Sequence, residues 1–392
     1  MKIGILGQGV AGIFLAIMVK TNNILDDVTV IDKNMSAGRK FSATGNGRCN
    51  VANLDLNEHS YNCAEALEIV KEFDAKKVEE FLLSIGLFTR ELGNLVYPFS
   101  LSGKTFVEFL INIAKEKKVK FINNESLLDY SIDNNKVKVQ TSKKNFVFDK
   151  FIITAGSPSG PHLGGSQSIL SILDKHGYQI QPFKAGLAPI KVNEITRTIE
   201  NERVKAKVTL VIDKEKCYEE EGEVLFKKDG LSGIAIFNCA SVIARHTKIK
   251  KATISLDLMP DLSYEELVNK LAKLNSFSKN SVLLGIFTKP ICEYIRKVSG
   301  VKNLNAYTNT EIKKLAVAIK NLNFTYLDTY AFRESQASIG GVEFNNLNKN
   351  LESKTESNVY FAGEILDADG LCGGYNINFA IASAYRIYNS IK

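Results

Sequence analysis

Met1 to Asp32 reads as strand, glycine turn, helix, strand and acid, an order that commits the chain to a Rossmann-type start. Lys2–Leu6 is a short apolar run of the kind shown by a strand buried on both faces. Gly7-Gln8-Gly9-Val10-Ala11-Gly12 follows, and each glycine has its own reason. Gly7 lets the chain turn sharply, Gly9 lets backbone approach a pyrophosphate with no Cβ in the way, and Gly12 lets helix and strand pack closely. The helix opening at Val10 would receive the phosphates at its N-terminus, where free N–H groups and the positive end of the dipole favour anions. Val28-Thr29-Val30-Ile31 is a second apolar strand and ends on Asp32, about 20 residues past the glycines, where a carboxylate accepts bonds from adenosine ribose hydroxyls. A carboxylate there disfavours the extra phosphate of NADP, so the unit specifies the ADP half of another dinucleotide.

At 392 residues the chain is too long for one core, and two or three domains are expected. Hydrophobic residues at 45% and charged ones at 24% fit a soluble globular protein. The net charge of +7 sits in short clusters such as Lys115-Glu116-Lys117-Lys118 and Lys248-Ile249-Lys250-Lys251. These read as solvated faces, and no nucleic acid is expected. Six cysteines are widely spaced with no CxxC pair, so neither a metal centre nor a dithiol relay is expected, and a reducing compartment is the simplest setting. Ile3–Val19 imitates a secretory signal, but its glycines, Gln8 and the lack of a small-residue cleavage site argue against one. No other apolar run reaches the roughly 18 residues that span a bilayer. The expectation is a cytoplasmic protein with no membrane partner.

Beyond Asp32, Lys33–Asn53 has little periodicity and many small polar residues, which marks a functional loop. Helices are expected over Cys63–Phe73, over Ala75–Ile85 with Asp74 as cap, and from the cap Ser102 to Lys117. Lys136–Val139 and Phe146–Phe148 alternate as antiparallel strands after an Asn134-Asn135 turn. Phe151–Gly156 reads as a central strand of the first sheet, Ser166–His176 as helix, and Ala185–Pro189 as the crossing out of the first domain. Over Lys191–Leu258 the period switches to two; over Pro260–Asn321 it becomes helical, with Leu267, Leu271 and Leu274 on one stripe. Asn358–Gly363 is again a strand, best placed beside Ile152. The first domain is therefore expected to be discontinuous, over 1–189 and 325–392, with a β-rich insert on the substrate side (190–258) and a helical insert (259–324).

The last segment completes a second half-site. Gly363-Glu364 ends a strand, Asp369 and Gly373-Gly374-Tyr375-Asn376 follow, and a helix runs from Ile377 to Ile391. An acid at the strand end can bind ribityl hydroxyls. A glycine-initiated helix can face the edge of a flavin that gains negative charge on reduction.

Gly7 to Gly12, Gly38-Arg39-Lys40 with Thr44 to Asn53, Ile153-Thr154-Ala155-Gly156, Gly340-Gly341-Val342 and Tyr360 to Asn376, taken in order, resemble a bacterial family of FAD-dependent flavoproteins, the NAD(P)/FAD-dependent oxidoreductases that include aminoacetone oxidase and oxo-bile-acid reductases. The likeness covers essentially the whole chain. It implies an α/β fold: a Rossmann-type FAD-binding domain, like one half of glutathione reductase, interrupted by an insert with a β-barrel-like part and a helical part. It implies non-covalent FAD. Gly7, Gly9, Gly12 and Asp32 carry over as ADP contacts; Arg39, Lys40, Asn46, Arg48 and Cys49 as the loop around pyrophosphate and flavin; Gly363, Glu364 and Asn376 as the ribityl and ring end. Val10, Ala11, Lys33, Thr44, Gly45, Gly47, Asn50, Ala155, Gly156, Asp369, Gly373, Gly374 and Tyr375 complete the expected cofactor set. Ala52 and Ser338 stand where threonine is usual in the family, and Cys372 occupies a variable place beside the ring site.

The reaction is less determined. No second strand-glycine-helix-acid unit occurs, so NAD(P)H, if it is the donor, docks transiently. Three readings stay open: an NAD(P)H-driven reductase of a small organic acceptor acting through flavin N5, an oxygen-dependent oxidase of a small amine or ketone, and a non-catalytic flavoprotein that binds a partner. Weak catalytic candidates are Tyr97, Arg333 and Cys372, with Ser100, Lys104 and Gln336 nearby in sequence. Against them, cations near helix ends commonly serve as surface charges and a free cysteine as a small buried hydrophobe. His162, between proline and a Gly-Gly turn, and His176, at a helix end where a cation is welcome, are weaker still. Oligomeric state, substrate and nicotinamide preference are not encoded legibly.

Overall fold

β1 (Lys2–Leu6), α1 (Val10–Asn22) and β2 (Asp27–Ile31) form in the order the opening sequence dictates. The structure, a computed structural model, describes residues 1–22, 25–277, 282–302 and 306–392. Residues 278–281 and 303–305, within the stretch expected to be helical, lie outside the described residues. α1 is apolar all round and buried from Ala11 to Lys20. Lys20, the one cation in that run, donates to the Asp26 carbonyl at 2.9 Å.

The chain continues through α2 (Arg39–Ala43), β3 (Ala52–Asn53), α3 (Ala64–Glu72), α4 (Ala75–Ser84), β4 (Thr89–Leu92), β5 (Leu95–Pro98) and α5 (Gly103–Glu116). The Asp74 and Ser102 side chains cap α4 and α5 by accepting from the amides of Lys77 and Thr105. β6 (Lys120–Ile122) is followed by the meander β7 (Leu127–Asp133), β8 (Lys136–Thr141) and β9 (Asn145–Phe148). Asn134 and Asn135 are both left-handed, with φ of 48° and 59°, as a two-residue hairpin turn requires. β10 (Lys150–Ile153), α6 (Leu170–Lys175) and β11 (Ile180–Gly186) lead to the middle of the chain.

There β12 (Ile190–Val192), β13 (Arg203–Ile212), β14 (Glu215–Lys227), β15 (Gly230–Ser232), α7 (Ile234–Arg245), β16 (Ala252–Asp257), α8 (Tyr264–Phe277), α9 (Lys289–Ser299), α10 (Asn309–Lys320) and β17 (Leu322–Thr329) form one compact unit, Ala185–Glu334. Its strands close a barrel in the order β12-β15-β14-β13-β16-β17. Alternate residues of β13 point inward, as its period of two requires. The barrel and helices α7 to α10 share a single apolar core. The sequence divides this region at Leu258 and assigns 325 onward to the first domain. In the structure β17 follows the helices and pairs with β16 and β12, so it belongs to the barrel.

The return brings β18 (Ala337–Val342), β19 (Val359–Phe361) and α11 (Tyr375–Ile391) back to the other unit, Met1–Lys184 with Ser335–Lys392. Its main sheet is parallel in the order β19-β10-β1-β2-β6, with Ile152 between Ile5 and Tyr360. β1 is thus the third of five strands, and α1 packs against α11. The loop expected over Lys33–Asn53 contains α2, whose Phe41 is buried between Phe14 and Phe106. Five residues with one apolar anchor are too few to show a period. None of the described helices is long and apolar enough to cross a membrane.

His176 caps the C-terminus of α6 and serves the fold. Its ring stacks on Tyr130 at 4.0 Å, with Nδ1 2.7 Å from Glu356 and Nε2 2.9 Å from Asp129. Tyr130 and Tyr178 both donate to the other oxygen of Glu356 at 2.6 Å. Burial alone lowers the His176 pKa, but the hydrogen bonds and charges of Asp129 and Glu356 outweigh it, and the net shift is upward from 6.5. The folded state therefore holds this proton more tightly than the unfolded chain. Its stabilisation is complete below the unfolded value and fades as pH rises through the raised folded value. We predict that His176→Gln costs more in urea midpoint at about pH 6 than at about pH 8.5. A cost that grows with pH would show this sign to be wrong.

Candidate cofactor and active site

The three glycines after β1 meet different surroundings. Gly7 has φ of 115°, and a Cβ there would lie 2.3 Å from the Thr154 carbonyl oxygen. A Cβ on Gly12 would lie 2.1 Å from the Gly7 oxygen. Around Gly9, among the described residues and apart from the adjoining backbone, nothing comes within 4 Å of that position. The open glycine sits at the start of α1, where the first-turn amides of Val10, Ala11 and Gly12 have no intrahelical acceptor.

Gln8, which the sequence reading passed over, organises the turn. Its amide donates to Asp32 Oδ2 at 2.7 Å, its side chain to Asn123 at 2.5 Å, and its carbonyl accepts from Gly38 at 2.9 Å. Asp32 Oδ1 accepts from the Asn34 amide at 2.7 Å and from the Asn34 side chain at 2.9 Å. The carboxylate thus fixes both loops at the strand ends, and Oδ2, which accepts a single bond, keeps a lone pair for a hydroxyl. Lys33 is exposed, and partial desolvation lowers its pKa despite Asp32 beside it.

After α2 the backbone runs through left-handed Gly45, Asn46 and Gly47 (φ 57°, 55° and 79°), right-handed Arg48 and left-handed Cys49 (φ 62°). The Arg48 and Cys49 amides are spent inside the loop, on the carbonyls of Gly45 and Thr44 at 3.1 and 3.0 Å, so the turn is held closed by its own backbone. Thr44 and Asn50 hold the loop from either side: the Thr44 hydroxyl bonds the Phe41 carbonyl, and Asn50 packs beneath Gly45. Arg48 and Asn46 are exposed. Cys49 is not: its thiol is fully buried, and burial pushes its pKa up to about 12 against the opposing Thr44 hydrogen bond. It is a neutral packing group beneath the loop.

Arg39 donates to the His162 carbonyl at 2.9 Å, and both side chains are exposed. Lys40 forms a close ion pair with Glu364 across 324 residues of sequence. Glu364 also accepts from the Ser338 amide at 3.1 Å, and Ser338, Ser159, Ser157 and Ser335 form a buried chain of hydroxyls at 2.7 to 2.9 Å. No sequence motif signals that chain. Ala155 and Gly156 (φ 72°) follow β10, with open space at Gly156.

At the other end, Gly363 (φ 76°) donates to Ser383 at 3.0 Å, and a Cβ on it would lie 3.0 Å from Cβ of Ala11. The beginning and end of the chain therefore meet over one crevice at the C-terminal edge of the sheet, where open α/β sheets place their ligands. Gly373 and Gly374 (φ 123° and 90°) wrap β3: a Cβ on Gly374 would lie 2.7 Å from the Ala52 oxygen. Tyr375 donates to the Asp55 carbonyl at 2.6 Å, and Asp369 is buried with its amide on Asn62. The Asn376 side chain closes on both backbone groups of Gly370, at 3.0 and 2.9 Å. These two bonds shape the loop and use one N–H and one lone pair of the amide, leaving one of each for a ligand.

Of the catalytic candidates, Tyr97 is half-buried on β5 opposite Arg90, and Cys372 Sγ lies 3.8 Å from Gln336 Oε1. Arg333 is exposed and falls in the barrel unit, while Ser100 and Lys104 are exposed ahead of and within α5. The open glycine with the first-turn amides of α1 and the acid at the end of β2 fit a dinucleotide with an anionic centre and ribose hydroxyls, the chemistry of FAD.

The fold and this site define a Rossmann-type, flavin-dependent oxidoreductase. The chain belongs to the HI0933-like family, whose Rossmann-domain description matches residues 1–389. It is similar to the 3-dehydro-bile acid delta(4,6)-reductase of Clostridium scindens, with 27% identity over 98% of this chain and 97% of that protein. It is also similar to the ribosomal RNA dihydrouridine synthase of Escherichia coli, with 26% identity over 97% and 95% of the two chains. Among solved structures, 3-ketosteroid delta1-dehydrogenase from Sterolibacterium denitrificans shares the fold, with TM-score 0.52 and 10% identity over 99% of this chain and 98% of that one.

Proposed function

We propose that the chain holds FAD non-covalently and uses NAD(P)H to saturate a carbon–carbon double bond conjugated to a carbonyl in a small organic acceptor. When bound, FAD would supply hydride transfer through N5; overall, NAD(P)H and one proton are consumed for each double bond reduced. Gly9 and the first turn of α1 would hold the pyrophosphate, Asp32 the adenosine ribose, the exposed Asn46 and Arg48 side chains an anionic part of the cofactor, and Glu364 with the Gly373–Gly374 backbone the ribityl and ring end. Lys40 neutralises Glu364 and places a cation within reach of the same crevice.

The observation that carries the reading is the meeting of Gly363 with Ala11, which supports one cofactor spanning the two ends of the chain over one sheet edge. The choice of reaction has separate support. Both curated relatives bear names that describe saturating, or the product of saturating, a double bond conjugated to a carbonyl. All six cysteines are free, which supports a reducing, cytoplasmic setting.

The test is anaerobic mixing of the yellow protein with NADH and NADPH. Flavin bleaching at turnover rate, followed by recovery of colour on adding an enone, is the expected result. Bleaching by an amine with recovery only in oxygen would replace this reading with an oxidase, and protein that takes up no FAD would remove it.

A further inference from the structure

The hairpin of β4 and β5 has one face in the core and one outside. Arg90 is opposite Tyr97 and Leu92 opposite Leu95, so these four side chains share the outer face, while Val96 and Pro98 point into the buried side. The Phe99 amide bonds the Phe88 carbonyl, which extends the same pairing by one step. The resulting surface is unusually apolar for solvent: Phe88 is 69% exposed, Phe99 57% and Leu92 43%. Arg90 lies flat on the Phe99 ring at 3.8 Å and makes no hydrogen bond or ion pair among the described residues, with Nε buried and unpartnered. A guanidinium stacked in this way keeps its N–H edge for a carboxylate.

One end of this face reaches the crevice. Asn53 pairs with Leu95 in the neighbouring strand and donates to the Gly373 carbonyl at 3.0 Å, and Leu95 Cδ2 lies 3.5 Å from the position of a Cβ on Gly373. From Leu95 to Phe99 is four residues of extended chain, about 13 Å. We propose that this face is the acceptor platform. It takes a flat, elongated apolar acceptor whose reactive end lies at the Gly373 turn and whose anionic end lies on Arg90, with Tyr97 and Phe99 beneath its length. The proposal rests on the reductase reading for what happens at the reactive end, while the platform itself is a matter of binding.

The chain contains no tryptophan, so Phe99→Trp places a single reporter on the platform. The probes are a fused-ring enone carboxylic acid, a conjugated oxo-bile acid, and its methyl ester. With the flavin-loaded variant, both are expected to change the tryptophan emission saturably. Adding Arg90→Gln should weaken the acid about 10-fold or more and leave the ester nearly unchanged. Phe99 is exposed and the only contact shared by the two residues is the surface stack of Arg90 on its ring, so both variants should melt within a few degrees of wild type. Silent emission with both probes, or equal weakening of acid and ester, overturns the platform. The two readings separate cleanly: saturable emission without NAD(P)H-driven turnover keeps the platform and removes the reductase, whereas turnover with silent emission does the reverse.

Discussion

Gly9→Val should give a folded protein that purifies without colour. The position allows an unusually clean test because the protein itself leaves it open. Among the described residues and apart from the adjoining backbone, no atom lies within 4 Å of where a Cβ would sit, and the backbone is outside the left-handed region that penalises side chains. The cost to the fold is then confined to the start of α1, where glycine is a better cap than valine by about 1 kcal/mol at most. Whatever occupies the space against the first-turn amides meets three extra carbons, and an anion held by backbone N–H groups does not tolerate that separation. The expected results are a flavin-to-protein ratio near zero, an apo-protein melting temperature within a few degrees of wild type, and partial retention for Gly9→Ala. Full flavin content in the valine variant would mean that the cofactor lies elsewhere. A collapsed melting temperature would mean that the site is filled by protein.

What the sequence discloses here follows contact distance along the chain. The sharp turn at Gly7, the close packing at Gly12, the caps Asp74 and Ser102, and the Asn134-Asn135 turn are read correctly because each is a local device whose residue types answer a local need. The strand Val359–Phe361 is placed beside Ile152 because a fully apolar run has only a buried sheet to occupy. The pairing of Lys40 with Glu364, the hydroxyl chain of four serines and the hold of Gln8 on Asp32 are invisible, since nothing in a lysine or a serine announces a partner far away in sequence. Asn376 and Cys49 show what a motif leaves open. A motif carries over the residue and its neighbourhood, but not the direction of the side chain. One amide turns back on Gly370, and one thiol turns into the core. β17 is misassigned for a third reason: a half-buried strand reads the same whether it extends a sheet or closes a barrel.

Gly12→Ala sets two well-characterised effects against each other, and its sign decides which governs this turn. Gly12 lies inside α1, and in a helix interior alanine is favoured over glycine by about 1 kcal/mol. Propensity alone therefore predicts a more stable protein. Packing predicts the reverse. The new methyl would stand 2.1 Å from the Gly7 oxygen and 2.8 Å from Thr154 Oγ1, and neither can withdraw. Gly7 is itself closed in by the Thr154 carbonyl at 2.3 Å from its own Cβ position, and Thr154 Oγ1 is bonded to the Leu6 and Gly7 carbonyls at 2.9 and 3.1 Å. Relief requires α1 to move off the sheet, away from β1 and from α11, which packs on its other side. Overpacking of backbone against backbone costs about 3 kcal/mol or more, and the net loss is expected to remain at about 2 kcal/mol or above. The measurement is the urea midpoint of apo-protein, with Gly9→Ala as the control in which the same methyl meets no protein. If Gly12→Ala melts later than wild type, the close approach of helix and strand is not what fixes this residue, and the argument from the turn to the cofactor loses its footing.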